Sequence, residues 1–358
     1  MLPIPFTIEI DPMERMLLVN FEQDPDSTYV GFEPQVFDDT IHGTGHIVLG
    51  WRVDGRVDVF HQPGITLDPC TYDIAGKGLA NMVKREMKSA YFDVSEAGVQ
   101  AYYSFHDVDD RPIEIKINEH NTRKRRPFSL LAPMGDAAEN PSAIPLLFLH
   151  DFYFVRRKDT EFRITINGKA HKPDNFPMPL PLFGSMMYYT RYSSGPLIVT
   201  LNQAFDDKMP VIQVKEDTEI TSGDITYSIE FDASTPVLRS IQKKHKQHEI
   251  RIAFEPAFPN LRTMPEANTI TGSFVVSASS ATGRVEGYYK VERLKDQIRV
   301  VMEPSGGWVP NPDSLTLRFI YTVGKIFKNW PKTYRWTASI SENESSELHM
   351  RSSWERLK

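Results

Sequence analysis

Short runs of β-branched and aromatic residues, each ended by a turn residue, recur along almost the whole chain. The segments 46–64, 100–118 and 162–169 show the pattern clearly, because apolar and polar residues alternate in them until Gly or Asn follows. A period of two residues is typical of strands, and the intervening turn residues indicate hairpins and meanders. The sequence therefore predicts an all-β chain, in which functional residues lie in barrel interiors, at sheet edges or in loops.

Two local patterns refine this prediction. Asp54-Gly55 separates two strand-like runs, and such a pair favours the positive φ angles of a type I′ hairpin turn. The segment 76–92 is the best helix candidate, because Leu79, Met82 and Val83 stand at helical spacing, although a strand with an irregular pattern fits the same letters.

The length of 358 residues predicts two domains, since roughly 100–200 residues form one domain. We expect an N-terminal β-barrel domain over 1–178 and a C-terminal one over 179–358. The proline-rich stretch 173–184 would connect them, because proline cannot donate to a sheet ladder. An apparent hairpin at 152–166 has a counterpart at 288–302, with four of 15 aligned residues identical. Either the domains repeat one structure, or two β-hairpins look alike by chance.

The composition of the chain indicates its cellular compartment and the classes of partner that it can bind. The net charge of −6 weighs against nucleic acid as a partner, which requires a basic surface. Cys70 is the single cysteine, so no intramolecular disulfide can form, and the chain starts without a basic, apolar leader. The sequence has no stretch of about 18 apolar residues, so no transmembrane segment is predicted. We expect a cytoplasmic protein. No pattern specifies an oligomeric state.

The basic runs 123–126 and 156–158 are predicted to be solvated loops, with phosphate or anionic-lipid contact as the alternative.

The segment 38–46 contains the first candidate site. On a strand, His42, Thr44 and His46 would share one face, since successive side chains alternate. A polar stripe inside a barrel can line a ligand cavity, so we predict His42 and His46 as catalytic acid/base residues and Thr44 as a ligand contact. The two histidines would be about 13 Å apart, too far for one ion, and no metal is predicted. The alternative is that both histidines are solvent-facing or hydrogen-bonded.

The segment 183–196 contains the second candidate site, a mixture of adaptable apolar side chains, phenols and one cation. Methionine and aromatic side chains suit an apolar ligand, and Arg191 could orient a polar group on it. Core packing is the alternative for the same residues. The predicted ligand-binding residues here are Met186, Met187, Tyr188, Tyr189, Arg191 and Tyr192.

Several motifs are absent from the sequence. It has no G-x-S-x-G elbow, no phosphate-binding glycine loop, no H-E-x-x-H and no C-x-x-C. These absences weigh against nucleophilic, nucleotide-dependent and zinc-protease chemistry. The prediction is a protein without a cofactor.

The overall plan resembles the carotenoid 1,2-hydratase and AttH-like proteins, which have two lipocalin-like β-barrels in one chain. The resemblance covers the length, the all-β pattern, the repeated hairpin and the segment 161–177. The chain departs from that family at 183–202, where Met and Tyr stand in place of a tryptophan-rich segment. The resemblance implies a barrel that binds apolar, terpenoid-like ligands. In some relatives, acid/base side chains hydrate or cyclise such ligands.

Three functions follow as hypotheses. The first is the binding, or the cofactor-independent hydration, isomerisation or cyclisation, of a mostly apolar small molecule in a barrel or interdomain cavity; as an enzyme the protein would be a lyase or isomerase. The second is a carbohydrate-active or carbohydrate-binding β-sandwich or supersandwich, and the third is a structural or interaction module. The second rests on tryptophans expected at the surface, where sugars stack: Trp51, Trp308, Trp330, Trp336 and Trp354.

Overall fold

The described part of the chain is built almost entirely of strands, as predicted. The computed structural model describes residues 1–357 except Pro12, Ile41, 70–77, 134–142, 178–185, Gln247 and 344–346. Cys70 and the predicted domain boundary after residue 178 lie outside the described residues, so the division into 1–178 and 179–358 stays a prediction.

The elements are numbered in chain order. The first fifteen strands are β1 (Leu2–Pro3), β2 (Ile8–Asp11), β3 (Met13–Asn20), β4 (Tyr29–Asp39), β5 (Gly43–Arg52), β6 (Val57–His61), β7 (Leu79–Lys84), β8 (Ser89–Ser95), β9 (Gly98–His106), β10 (Pro112–Glu119), β11 (Phe128–Ala132), β12 (Ile144–Arg156), β13 (Thr160–Ile166), β14 (Lys169–His171) and β15 (Met187–Leu201). The rest are β16 (Phe205–Lys208), β17 (Val211–Ile212), β18 (Glu219–Ser222), β19 (Ile225–Asp232), β20 (Thr235–His245), β21 (His248–Phe258), β22 (Asn268–Ser279), β23 (Gly283–Leu294), β24 (Gln297–Val309), α1 (Leu315–Val323), α2 (Lys325–Asn329), β25 (Tyr334–Glu342) and β26 (Leu348–Arg356).

The chain divides into two compact units, each made of separate stretches of sequence. The sandwich unit contains Pro12–Ser129 and Leu149–Pro196. The meander unit contains Met1–Asp11, Leu130–Phe148 and Leu197–Lys358. The strands β11, β12 and β15 each contribute residues to both units.

Two sheets pack face to face in the sandwich unit. One is five-stranded, in the order β14-β13-β10-β9-β8, and the other runs β12-β15-β3-β4-β5-β6-β7. The pairing of β6 with β7 is parallel. Fully buried apolar side chains from both sheets form one core, for example Val19 and Phe32 from one sheet with Ile115 and Ile164 from the other. Each strand therefore buries the apolar half of its alternating pattern.

The meander unit is dominated by one antiparallel sheet of ten strands, in the order β16-β26-β25-β24-β23-β22-β21-β20-β19-β18. Its buried face is filled partly by the N-terminal segment of the chain. The ring of Phe6 lies 5.0 Å from that of Phe254, 4.8 Å from that of Phe258 and 5.8 Å from that of Trp336, measured between centroids. The chain's own side chains thus occupy the space beside these strands.

None of the sheets closes on itself within the described residues, because each ends at two edge strands. The all-β prediction is confirmed at the level of antiparallel sheets, and the predicted closure into lipocalin-like barrels is not found there.

For the described part of 76–92 the helical alternative is wrong and the strand alternative is confirmed, because this part forms β7 and β8. Asp58 and Val59 of β6 pair with Asn81 and Met82 of β7. This tertiary pairing overrides a weak helical pattern. The hairpin at Asp54-Gly55 is confirmed as the connection between β5 and β6. Only Gly55 takes a left-handed φ there, of 81°, so the turn is not type I′.

The predicted hairpin at 152–166 is also wrong. Its two halves lie in β12 and β13, which belong to different sheets. The corresponding segment 288–302 is a true hairpin, in which β23 and β24 pair directly. The two segments have similar sequences because each contains two strands around a short connection. The sequence does not specify which sheet each strand joins.

The two helices found among the described residues were not predicted. Ser314 begins α1, since its side chain accepts a hydrogen bond from the backbone N of Leu317 at 3.3 Å. The helix has nine residues. In the described part of the chain, no helix is both long and apolar enough to cross a bilayer.

Candidate functional site

His46 lies on β5 and reaches the facing sheet of the sandwich unit. Its Nδ1 lies 2.9 Å from the Tyr103 hydroxyl, and the ring centroids are 5.5 Å apart in an edge-on arrangement. Burial, with a smaller effect from the Arg15 cation, lowers the pKa of His46 to about 4. The imidazole is therefore neutral at neutral pH, and burial also raises the pKa of the Tyr103 phenol. A neutral imidazole beside a phenol can accept or relay a proton.

His42 and Thr44 contact the end of β4 instead. The backbone N of His42 donates to Asp39 Oδ1 at 2.7 Å, and its ring Nδ1 lies 3.4 Å from the same oxygen. The hydroxyl of Thr44 donates to Asp38 Oδ1 at 2.9 Å. These contacts are typical of polar side chains that stabilise a turn. The structure therefore gives His42 and His46 different surroundings, although the sequence placed them in one stripe.

Glycine separates these residues for a structural reason. Gly43 has φ of 94°, and a Cβ there would lie 2.2 Å from the carbonyl oxygen of Gly64. Gly45 also has a positive φ, of 155°. Regular side-chain alternation is interrupted where the backbone takes such angles.

The segment 186–192 distributes its side chains over both faces of β15. Met186 precedes the strand and is exposed, whereas Met187 is buried. The ring of Tyr188 packs edge-on against Phe162 at 4.9 Å, beside the core of the sandwich unit. Tyr189, on the opposite face, lies under the Arg191 guanidinium at 4.4 Å. Tyr188 and Tyr189 therefore do not line one wall.

Arg191 is held by acceptors of the protein itself. Its Nη1 donates to Asn20 Oδ1 at 3.0 Å and to the carbonyl oxygen of Tyr189 at 3.1 Å, and burial lowers its pKa. Glu33 is also buried on this sheet, and Gln35 Nε2 donates to it at 2.9 Å. Burial raises the pKa of Glu33, so this face combines a cation and an acid with reduced hydration.

The tryptophans do not provide the surface that the carbohydrate hypothesis assumed. Trp308, Trp330, Trp336 and Trp354 are buried in the meander unit, and Trp51 is partly buried beside Gly31. Among the described aromatic residues of this unit, Tyr288 has a larger exposed fraction, 65%, than Phe231 and Phe319.

Tyr288 lies in an open groove of about 720 Å³ on the ten-stranded sheet. We call it the Tyr288 groove. Its lining comes from the four neighbouring strands β22 to β25: Thr271, Gly272, Ser273, Tyr288, Tyr289, Lys290, Glu292, Arg299, Val301, Glu303 and Arg335. Ser273 and Glu303 pair with Tyr288 from the two neighbouring strands, so one row across the sheet presents a hydroxyl, a ring and a carboxylate.

Charged side chains fix one end of the groove. Arg335 Nε donates to Glu303 Oε1 at 2.6 Å, and its Nη1 donates to Glu355 Oε1 at 3.3 Å. The hydrogen bond to Glu303 is the main reason that the pKa of Arg335 is raised. At Gly272 a Cβ would lie 2.6 Å from the Tyr289 hydroxyl, so this glycine leaves room for the buried Tyr289 ring on the face opposite Tyr288.

Sequence reasoning missed this groove. The signal was present in 288–303, where Lys290, Glu292, Arg299 and Glu303 stand among apolar residues, but such a pattern is also typical of any solvated sheet face. A second recess in the same unit, of about 250 Å³, includes Arg293, which donates to the carbonyl oxygen of Met264 at 2.8 Å. That arginine is engaged in supporting a loop.

No protein-family model matches the sequence, and comparisons with curated proteins and with solved structures also give no match.

Proposed function

We propose that this protein binds a small molecule rich in hydroxyl groups, of the saccharide class, in the Tyr288 groove. The observation that carries the proposal is the exposed ring of Tyr288 between the hydroxyl of Ser273 and the carboxylate of Glu303. A pyranose has an apolar C–H face and a rim of hydroxyls, so it needs both a flat aromatic surface and polar groups beside it.

The polar lining supplies both donors and acceptors for hydrogen bonds with a sugar. Sugar hydroxyls donate and accept, and the groove presents acceptors on Glu303, donors on Arg335 and Lys290, and a hydroxyl on Ser273. The volume of about 720 Å³ is within the range of small-molecule sites. Because Arg335 already donates to Glu303, that carboxylate is positioned as a hydrogen-bond acceptor, and we propose binding rather than hydrolysis.

The experiment compares two exposed residues on one strand. Wild type is screened on a saccharide array, and the best saccharide is measured by calorimetry against Tyr288→Ala and Leu294→Ala. Leu294 is 69% exposed on β23, outside the groove lining, so its truncation controls for the loss of an exposed apolar side chain. We expect Tyr288→Ala to weaken binding at least about tenfold and Leu294→Ala to leave it unchanged. Absence of saccharide binding by wild type, or equal binding by Tyr288→Ala, contradicts the proposal.

A second candidate is the conversion of a mostly apolar molecule with His46 as the proton-transfer group. The lowered pKa of His46 and its contact with Tyr103 support it, because perturbed pKa values cluster at functional sites. The relation to tandem lipocalin-like proteins belongs to this second proposal. Native mass spectrometry tests the proposal: a co-purified apolar molecule lost in His46→Ala supports it, and a bare wild-type mass contradicts it.

A further inference from the structure

Arg125 is the one member of the basic run 123–126 that turns inward. Arg123, Lys124 and Arg126 are exposed, whereas the side chain of Arg125 is 13% exposed. The run was predicted to be solvated, and this residue departs from that prediction. Burial of a guanidinium costs free energy unless its N–H groups find acceptors.

Only one nitrogen of that guanidinium is used by a side chain of the sandwich unit. Arg125 Nη2 donates to both carboxylate oxygens of Asp151, at 3.2 and 3.1 Å. Its Nε and Nη1 are buried, and neither makes a well-aligned hydrogen bond to a described residue, although the Tyr192 hydroxyl lies beside the guanidinium. A charged donor left in this state loses hydration without compensation, so these two N–H groups indicate a missing acceptor.

Tyr192 adds a third donor at the same place. The Arg125 guanidinium carbon lies 5.8 Å from the centre of the Tyr192 ring, and the tyrosine is completely buried. Its hydroxyl interacts with the Arg125 guanidinium without well-aligned hydrogen-bond geometry, and its own O–H donates to no described residue. Burial raises the pKa of this phenol, so it remains a neutral O–H donor.

Asp151 is held in place by its backbone. It takes a left-handed φ of 50° inside β12, which is unusual for a residue other than glycine. Ser194, on the adjacent strand, donates its hydroxyl to Asp151 Oδ2. Strained backbone angles in strands persist where the surrounding contacts hold them in place. Here they direct the carboxylate of Asp151 at Arg125. The Asp151 charge balances Arg125, and the three exposed basic residues of the run leave the neighbourhood positive.

We infer that Arg125 and Tyr192 form a binding site for an oxyanion group, the carboxylate or phosphate of a small ligand, in the sandwich unit. Such a group accepts from several N–H and O–H donors at once, which matches the unused Nε, Nη1 and hydroxyl. Tyr192 was predicted as a ligand-binding residue, and the cation that orients the ligand is Arg125 in place of Arg191. This site is independent of the Tyr288 groove.

The test uses three variants of the full chain. Tyr192→Phe removes only a hydroxyl that donates to no described residue, so it should fold normally. Arg125→Met removes the proposed cation, and Arg126→Met is the matched control because it changes an exposed member of the same run. Inorganic phosphate, acetate and octanoate are titrated by calorimetry at constant ionic strength, and the melting temperature of each variant is recorded. The three probes distinguish a phosphate site, a carboxylate site and a carboxylate site with room for an apolar tail.

We expect wild type and Arg126→Met to bind at least one probe with equal affinity, Tyr192→Phe to bind it about tenfold more weakly, and Arg125→Met not to bind it. Tyr192→Phe keeps the interpretation independent of folding if Arg125→Met proves unstable. Binding of no probe by wild type, or unchanged affinity in Tyr192→Phe, overturns the inference and assigns the unused donors to buried water.

Discussion

Arg156 and Glu119 form a buried ion pair in the sandwich unit. The backbone N of Arg156 donates to Glu119 Oε1 at 3.1 Å, and its Nε donates to the same oxygen. The other oxygen, Oε2, accepts from the backbone N of Val99 at 3.0 Å. The remaining guanidinium nitrogens donate to the carbonyl oxygens of Arg123 and Ala97. The pair therefore connects four segments of the chain with all of its charged groups satisfied.

Glu119→Gln should destabilise the protein by about 3–5 kcal/mol, because it leaves the Arg156 cation buried without its counter-ion. Urea unfolding monitored by circular dichroism measures the loss. Glu161→Gln is the control, since Glu161 forms an exposed pair with Lys116 and should cost less than about 1 kcal/mol. Equal losses in the two variants would mean that Glu119 is hydrated in solution.

His46 should make stability depend on pH between about 6.5 and 4. Its pKa is lowered to about 4 in the folded protein, so the unfolded chain binds the proton more tightly over this interval. Stability is fully present above pH 6.5 and falls as the pH decreases toward 4. A complete shift would be worth about 3 kcal/mol, and we expect about 2 kcal/mol because the ring is partly exposed.

The measurement is urea unfolding at pH 7 and at pH 4.5 for wild type, His46→Gln and His42→Gln. The pH-dependent difference should shrink in His46→Gln and persist in His42→Gln. If His46→Gln retains the full difference, the histidine is not the group responsible, and its role as a neutral proton acceptor loses its support.

The class of fold was readable from the sequence, whereas the pairing of strands was not. The alternation of apolar and polar residues indicates a strand and its two faces, so it identified nearly all elements. It does not say which strand lies beside which. That is why 152–166 read as a hairpin although its halves join different sheets. The same limit applied to the candidate sites. Arg125 becomes distinctive only because Asp151 and Tyr192 meet it from distant strands.

Gly287→Ala should be strongly destabilising. A Cβ at this position would lie 2.3 Å from the carbonyl oxygen of Glu303 and 2.4 Å from the Phe274 ring, and neither backbone nor buried ring can move freely. We expect a loss of about 3 kcal/mol in urea unfolding. The pairing register shifts between Glu286 and Tyr288, so this glycine also sets the position of the groove's aromatic ring.

Gly78→Ala is the matched control for that experiment. The nearest atom to its added Cβ is Arg56 Cγ at 3.7 Å, an ordinary contact. This change should be neutral or stabilising by about 0.5 kcal/mol, because alanine restricts the unfolded chain. A Gly287→Ala variant as stable as Gly78→Ala would contradict the close packing of β23 against β24.

Phe6→Ala should cost about 3–5 kcal/mol, because Phe6 is 5% exposed and touches the rings of Phe254, Phe258 and Trp336 on the buried face of the ten-stranded sheet. Phe231→Ala, at a 42% exposed position of the same sheet, should cost less than about 1 kcal/mol. The comparison also tests whether the buried face of the ten-stranded sheet has room for a ligand. If Phe6→Ala costs as much as expected, the chain itself fills this face, and ligand binding in the meander unit belongs to the open Tyr288 groove. A cost below about 1 kcal/mol would mean that the N-terminal segment leaves the face open, which is the space that an apolar ligand in a lipocalin-like interior requires.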